Sequence, residues 1–405
     1  MSDQRDSNPC AVFPTIRLQK RQERRVLSGH DWIYSNEIDT KRVPLTSFEP
    51  GQVVNVQTAD GLWVGNGYLN PHSLIAMRIA SRDWNLPFNE DLIEKRIQAA
   101  ANFRDRLFEK PFYRLIHGES DCLPGLVIDR FSDVFVVQIN TAGMENMKDT
   151  VVRVLQNQFA AKTIVFRCDT PLRKMEQLEP YTETIGDSPQ QVIVEEGDCK
   201  FAFDLAGGQK TGWFYDQREN RSNFLSLVKG KTVVDVCSYV GAWGVAAAAA
   251  GATEVICVDS SESALEQLAD NAKLNDVENQ VVAAHGDAFD ILKSLKRDEH
   301  QADVVVLDPP AFVKRKKDLK NGTEAYTRLM RRGLQILKPG GILVTCSCSH
   351  HMPRDLLVQR LGQAGRDVNR SLQIFREGKQ AADHPIHPAM PETEYLKAFF
   401  VRTLN

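Results

Sequence analysis

Several things are absent from this 405-residue chain, and each absence narrows the reading. No apolar run can cross a bilayer: the longest, Val245 to Ala252, falls far short of the roughly 20 residues a spanning helix needs. The eight cysteines (Cys10, Cys122, Cys168, Cys199, Cys237, Cys257, Cys346 and Cys348) show no Cys-x-x-Cys pairing, so no zinc or other metal site is expected. Their scatter, several within strand-like runs, fits reduced thiols rather than a disulfide scaffold. A formal charge of -3 removes the global basic field of many nucleic-acid binders, so any such contact must come from local patches. The segment Met1 to Asn8 is polar and lacks the apolar core of a signal peptide. A cytoplasmic location without a membrane partner is the expectation.

What is present is an ordinary globular composition, 42% hydrophobic and 25% charged, in a chain long enough for two or three cores. After a flexible N-terminus (1–14), residues 15–82 read as a small β-rich unit. Its strand Ile16–Lys20 leads into a basic turn with Arg21, Arg24 and Arg25, and a hairpin turns at Ala59-Asp60-Gly61. Residues 83–204 read as α+β, with helical periodicity over Glu90–Phe108 and Met144–Phe159, a hairpin around Phe131-Ser132-Asp133 and a closing hairpin, Gln191–Val194 with Lys200–Asp204. Across 205–405, β-branched runs (Thr232–Val236, Val255–Asp259, Val281–Ala284, Val304–Leu307, Ile342–Thr345) alternate with helical patterns. Such repeated βα units predict a mostly parallel sheet covered on both faces. Leu372–Phe375 and Tyr395–Val401 would complete it as an antiparallel pair.

The chemistry collects at the ends of those strands. Asp235 closes the first, and Gly241 and Gly244 follow where the chain enters a helix, a place where free N–H groups and the helix dipole receive a ligand. Asp259 closes the second strand, as an acceptor for the two ribose hydroxyls of an adenosine cofactor. Gly286-Asp287-Ala288 follows the third, suited to an adenine edge, and Asp308-Pro-Pro-Ala-Phe312 follows the fourth. Any one of these can be a mere polar strand end. Four in order along one sheet edge point to a cofactor site.

The series Asp235…Gly241, Asp259, Asp287, Asp308-Pro-Pro resembles motifs I to IV of class I S-adenosylmethionine (SAM) methyltransferases, although Cys237 and Tyr239 stand where many members have glycine. The chain is more specifically similar to the RlmI family of bacterial 23S ribosomal RNA cytosine-5 methyltransferases. The segments that carry the likeness are His30-Asp-Trp-Ile-Tyr34, Tyr113-Arg-Leu-Ile-His-Gly-Glu-Ser-Asp121, Leu123-Pro-Gly-Leu-Val-Ile-Asp-Arg130, Lys210-Thr-Gly-Trp-Phe-Tyr-Asp-Gln-Arg218, Ser347-Cys-Ser349 and Ala382-Asp-His-Pro385. The resemblance implies a PUA-like RNA-binding domain, a central α+β domain and a Rossmann-like catalytic domain. It implies SAM held by Asp235, Ser238, Tyr239, Gly241, Asp259, Ser260, Asp287, Ala288 and Asp308, and ribosomal RNA as partner.

Carbon 5 of cytosine is a poor nucleophile, and a cysteine thiolate adding to carbon 6 is the usual remedy. Cys348 aligns with the cysteine of the family's Ser-Cys-Ser. Cys346, two residues earlier on the same strand, is the alternative, while Cys237 and Cys257 read as small core hydrophobes. Asp308 is placed to bond the ring edge. Two-cysteine RNA cytosine methyltransferases carry their second cysteine directly after the motif IV proline, and here that residue is Ala311, so the base that resolves the adduct is not identified. Lys314 and Lys316 beside the site, and Arg21 and Arg24 in the first domain, are candidate phosphate contacts, with Phe312 to stack on an extruded base. A solvated helix face is the bland reading of either basic cluster. An exocyclic-amine RNA methyltransferase using Asp308 and Phe312 is the alternative enzyme, a noncatalytic RNA-binding assembly factor the alternative class, and the oligomeric state, a homodimer included, stays open.

Overall fold

The structure is a computed structural model that describes residues 9–205 and 211–405. Two compact units emerge from its contacts: Met1–Gln190 with Leu205–Gly212 and Asp383–Thr393, and Gln191–Asp204 with Trp213–Ala382 and Glu394–Asn405. Of the N-terminal segment expected to be flexible, residues 1–8 lie outside the described residues, as does Lys210. The described part is tied down instead. Cys10 is buried, and the carbonyls of Cys10 and Phe13 accept from Asn55 Nδ2 at 2.7 and 3.2 Å.

The first unit holds two five-stranded sheets. One runs Thr15–Arg17, Gln52–Gln57, Trp63–Leu69, Met77–Ser81, Trp32–Ile33, with the hairpin at residues 59–61 where the turn chemistry puts it. The other runs Tyr181–Gly186, Thr163–Cys168, Val134–Ile139, Leu126–Phe131, Phe112–His117. Against the second lies the helix Glu90–Leu107, started by the Asn89 side chain accepting from Leu92 N (2.9 Å) and burying Ile93, Ile97, Ala100 and Ala101 at helical spacing. The helix expected over Met144–Phe159 is two, Ala142–Glu145 and Lys148–Phe159. Gly143 and Asn146 are weak helix formers, and a Cβ at Gly143 would meet the Tyr68 ring at 2.0 Å, so contact with that ring fixes the short piece.

The second unit is built on a seven-stranded sheet. We label its strands β1 (Thr232–Val236), β2 (Glu254–Asp259), β3 (Val281–His285), β4 (Ala302–Leu307), β5 (Leu337–Ser347), β6 (Leu372–Gly378) and β7 (Lys397–Thr403). Their order is β3-β2-β1-β4-β5-β7-β6, parallel except for β7, which pairs antiparallel with both neighbours. The helices α1 (Gly244–Ala249), α2 (Glu262–Leu274), α3 (Ala288–Arg297), α4 (Leu319–Gln335) and α5 (Arg354–Asp367) alternate with the strands. Central strands read as unbroken Val and Leu runs because both faces are covered: Val233, Val234, Val304, Val305, Val306 and Leu307 are all buried. Since the order reverses between β1 and β4, a crevice opens at their C-terminal ends.

The hairpin Gln191–Glu196 with Cys199–Asp204 groups with this sheet. The cause is a pair of asparagines on or just beyond α2 that imitate a strand edge. Asn271 accepts from Ala202 N (2.7 Å) and donates to Ala202 O (3.0 Å) and Val240 O (3.0 Å), and Asn275 makes the same pair of bonds with Lys200 N and O. Among the described residues no helix is long and apolar enough to cross a membrane.

Candidate active site

The turn after β1 carries the first carboxylate. Asp235 is fully buried, and its Oδ2 accepts from Gly244 N at 2.9 Å. A Cβ at Gly244 would lie 2.3 Å from Cys257 Sγ, which is why the chain needs glycine there. Between them Cys237, Tyr239 and Gly241 have φ of 66°, 50° and 92°. So the two residues that depart from the glycine pattern still adopt the left-handed backbone glycine would supply, at a cost of about 1–3 kcal/mol each. Hydrogen bonds offset it: Cys237 N and Ser238 N donate to the Val258 carbonyl (2.8 and 3.0 Å), and Tyr239 N donates to the Asp259 side chain at Oδ2 (2.9 Å).

Two buried polar atoms of this turn, Asp235 Oδ1 and Ser238 Oγ, have no hydrogen-bond partner among the described residues. Burial foremost, and the nearby Asp308 carboxylate next, push the Asp235 carboxyl up to about 8. Asp259, half-buried at the end of β2, accepts from Ser261 N through Oδ1 (2.9 Å) and from Tyr239 N through Oδ2, leaving each oxygen lone-pair capacity for a further donor. Ser260 is exposed, its carbonyl against His285 Nε2 at 3.1 Å. Asp287 caps α3, its Oδ1 accepting from Phe289 N (2.8 Å) and Asp290 N (3.3 Å), and Ala288 opens that helix half-buried. Orphaned acceptors, a glycine cradle and an acidic residue on the next strand suit an adenosine-bearing cofactor.

Asp308 stands at the end of β4. Its oxygens accept from Gln217 Nε2 (2.9 Å) and Trp243 Nε1 (3.1 Å), both neutral donors, and burial raises its carboxyl to about 6. Sequence reasoning missed both donors: Gln217 sits in a matched segment and Trp243 beside the glycines, but nothing in a linear pattern aims them at a residue 91 or 65 positions away.

The two candidate cysteines separate clearly. Cys346 lies within β5 opposite Ala398, is fully buried, and burial, then Asp308, holds its thiol well above the usual range. Cys348 lies just past the strand end and is partly accessible. Its loop is fixed by buried hydroxyls: Ser347 Oγ donates to Tyr326 OH (2.9 Å), Tyr326 OH and Ser349 Oγ are 2.9 Å apart, and Val313 N donates to Ser349 Oγ (3.1 Å). Phe312, half-buried, has its ring 4.8 Å from that of Tyr326, so it borders the same loop. Lys314 and Lys316 are exposed in the following segment. Arg21 and Arg24 belong to the first unit, where with Arg25, Ser28 and His30 they line an open cavity of about 560 Å³. Among the described residues no cluster of histidine, cysteine or acidic side chains suits a metal ion.

The chain is similar to several known proteins. Residues 113–401 match the family model of S-adenosylmethionine-dependent methyltransferases, and residues 16–82 match that of PUA-like domains. A protein of Shewanella denitrificans named ribosomal RNA large subunit methyltransferase I is 38% identical, over 96% of this chain and 98% of its own. One of the same name from Klebsiella pneumoniae is 34% identical over 97% and 99%. The crystal structure of SMU.776 complexed with SAH superposes with a TM-score of 0.81 at 20% identity, covering 96% of this chain and all of that one, a likeness of fold.

Proposed function

This chain belongs to the ribosomal RNA large subunit methyltransferase I family and is a SAM-dependent methyltransferase, and from that premise we propose that it forms 5-methylcytosine in 23S ribosomal RNA through a covalent adduct of Cys348. The observation that carries the reading is the contrast at the end of β5: one thiol sealed in the sheet, the next partly accessible at its edge in a loop fixed by a hydroxyl network.

SAM supplies an electrophilic methyl group when bound. Asp259 would receive its ribose hydroxyls, Asp235 and Ser238 would offer it their unpartnered oxygens, Gly241 and Tyr239 would shape the turn against it, and Ser260, Asp287 and Ala288 would border the adenine. The Cys348 thiolate adds to carbon 6 of the cytosine, which makes carbon 5 nucleophilic. Asp308, with a carboxyl near 6, is poised to exchange a proton with the ring edge or to bond it. Phe312 stacks on the extruded base, and Lys314, Lys316, Arg21 and Arg24 hold phosphates. This work fits the cytoplasm.

Cys348→Ala tests the reading. It should keep SAM binding and lose methyl transfer, and on RNA containing 5-fluorocytosine, where fluorine cannot leave as a proton, wild type and Cys346→Ala should form a denaturation-resistant protein–RNA band that Cys348→Ala does not. A band that survives loss of Cys348 and vanishes with Cys346 reverses the assignment. Full activity of Cys348→Ala with a methylated exocyclic amine as product would make this an amine methyltransferase.

A further inference from the structure

A cysteine adduct at carbon 6 must be undone, and none of the groups discussed so far takes the proton from carbon 5. The neighbouring strand offers a candidate. Lys397, first residue of β7, is the ladder partner of Ser347, and its Nζ donates to Ser349 O at 2.7 Å, so its amine is held across the loop that carries Cys348. We propose that Lys397 is the base that removes the carbon-5 proton and so releases the methylated cytosine from Cys348, an inference that rests on Cys348 being the nucleophile.

The chemistry balances at that position. In the methylated adduct carbon 5 bears both the new methyl group and its original hydrogen. The neutral amine of Lys397 takes that proton, the C–H electron pair becomes the carbon 5–carbon 6 double bond, and the carbon 6–sulfur bond breaks with its pair returning to Cys348 as thiolate. The resulting ammonium later gives its proton to water. A methyl group delivered to the ring face opposite the thiol leaves the hydrogen on the thiol's face, the face that a base held at the Cys348 loop would approach.

Electrostatics times the step. Burial lowers the Lys397 amine to about 8, opposed by the negative charge of Cys348 and, secondarily, of Glu394 just ahead of β7. Tyr326, hydrogen-bonded to the loop's serines, is held above its ordinary range by burial and enters as a neutral hydroxyl. While the thiolate is free it favours the ammonium. Once the sulfur is bonded to carbon 6 that charge is gone, the amine sheds its proton more readily, and the base becomes available when the adduct exists.

The experiment is a trap on ordinary RNA. Full-length Lys397→Met and Lys397→Arg, the latter keeping reach, charge and a donor for Ser349 O but unable to accept a proton, should each release product roughly 100-fold more slowly or worse and accumulate a denaturation-resistant adduct with unfluorinated substrate. Wild type should show none, and adding Cys348→Ala should abolish it. In wild-type single turnovers the release rate should rise with pH toward a plateau, because only the neutral amine accepts a proton. Normal turnover by Lys397→Arg, or no adduct from it while wild type still traps 5-fluorocytosine RNA, would overturn the proposal. If wild type fails to trap fluorinated RNA, it is the reading of Cys348 that has failed. A Met variant that does not fold leaves the Arg variant to decide.

Discussion

Two sets of enclosed carboxylates, one in each unit, are treated in opposite ways. In the first, each of three is matched to an arginine: Asp121 takes two bonds from Arg104 (2.7 Å each), Asp129 two from Arg114 (2.8 Å each), and Glu176 one from Arg78 at 2.9 Å. In the second, Asp235 and Asp308 at the sheet edge receive a backbone N–H, an amide and an indole, and no ion pair among the described residues. Burial then raises both carboxyls, and one oxygen of Asp235 is left unpartnered. A carboxylate satisfied by its own protein is scaffold. One left with neutral donors keeps capacity for a ligand or a proton.

The largest effect should come from breaking a matched pair. Arg104 is almost wholly enclosed and also donates to Arg114 O and Asp383 O (3.1 Å each). Arg104→Ala strands Asp121 inside the first unit and should cost about 3–5 kcal/mol of stability, read by urea denaturation. A loss below about 1 kcal/mol would mean the pairing is incidental.

Asp259→Ala removes the carboxylate proposed to receive the cofactor's ribose. The charge-assisted bonds to a ribose diol are worth about 1.5–3 kcal/mol each, so SAM affinity should fall roughly tenfold or more in calorimetric titration, alongside a smaller drop in the urea midpoint from the lost bonds to Tyr239 N and Ser261 N. An unaltered dissociation constant in folded protein would take Asp259 out of the cofactor site.

How much of this contrast could be read from the sequence depends on the range of the interaction. Strand-ending acids at Asp235, Asp259 and Asp308 were legible because a parallel sheet buried on both faces writes itself as β-branched runs, and the SAM methyltransferase fold they implied is the one the chain has. The antiparallel closure by β6 and β7 was legible as two late strand-like runs after the last βα unit. Partners fixed by tertiary contact were not. Gln217 and Trp243 reach Asp308 from distant positions, the Asn271 and Asn275 clamps pull a hairpin onto α2, and Lys397 meets the Cys348 loop only through the register of β5 against β7. Cys237 and Tyr239 look like departures from a glycine motif because sequence shows residue type and not φ.

A smaller effect sharpens the comparison through pH. Folding raises the Asp235 carboxyl from the ordinary carboxylate range to about 8, so folding favours its protonated form. The stability this contributes is complete below the unfolded value of about 4 and is lost as pH climbs through 8. Asp235→Asn keeps an acceptor for Gly244 N and cannot ionise, so without cofactor its Tm should gain on wild type by several degrees between pH 5 and pH 8. A difference that does not vary with pH would place the ionised form in the folded protein.

The smallest effect extends the comparison from acids to cations. Arg25 is committed: it bonds both Glu37 oxygens (2.9 and 2.7 Å) and Trp32 O (2.9 Å) and lies 5.0 Å over the Tyr34 ring. Arg21 and Arg24, beside it at the same cavity, have no side-chain partner among the described residues, so of these three the proposed phosphate contact falls to them. Arg21→Ala with Arg24→Ala should therefore leave stability and SAM affinity unchanged and weaken RNA binding modestly. The slope of log affinity against log salt should flatten by roughly 0.7 for each single-strand phosphate that the pair neutralises in the parent. Arg25→Ala should do the reverse, lowering stability because Glu37 loses its counter-ion. If the double variant binds RNA with the parent's affinity and salt slope, the two side chains are a solvated face, and a cation without a partner in this protein is no guide to function.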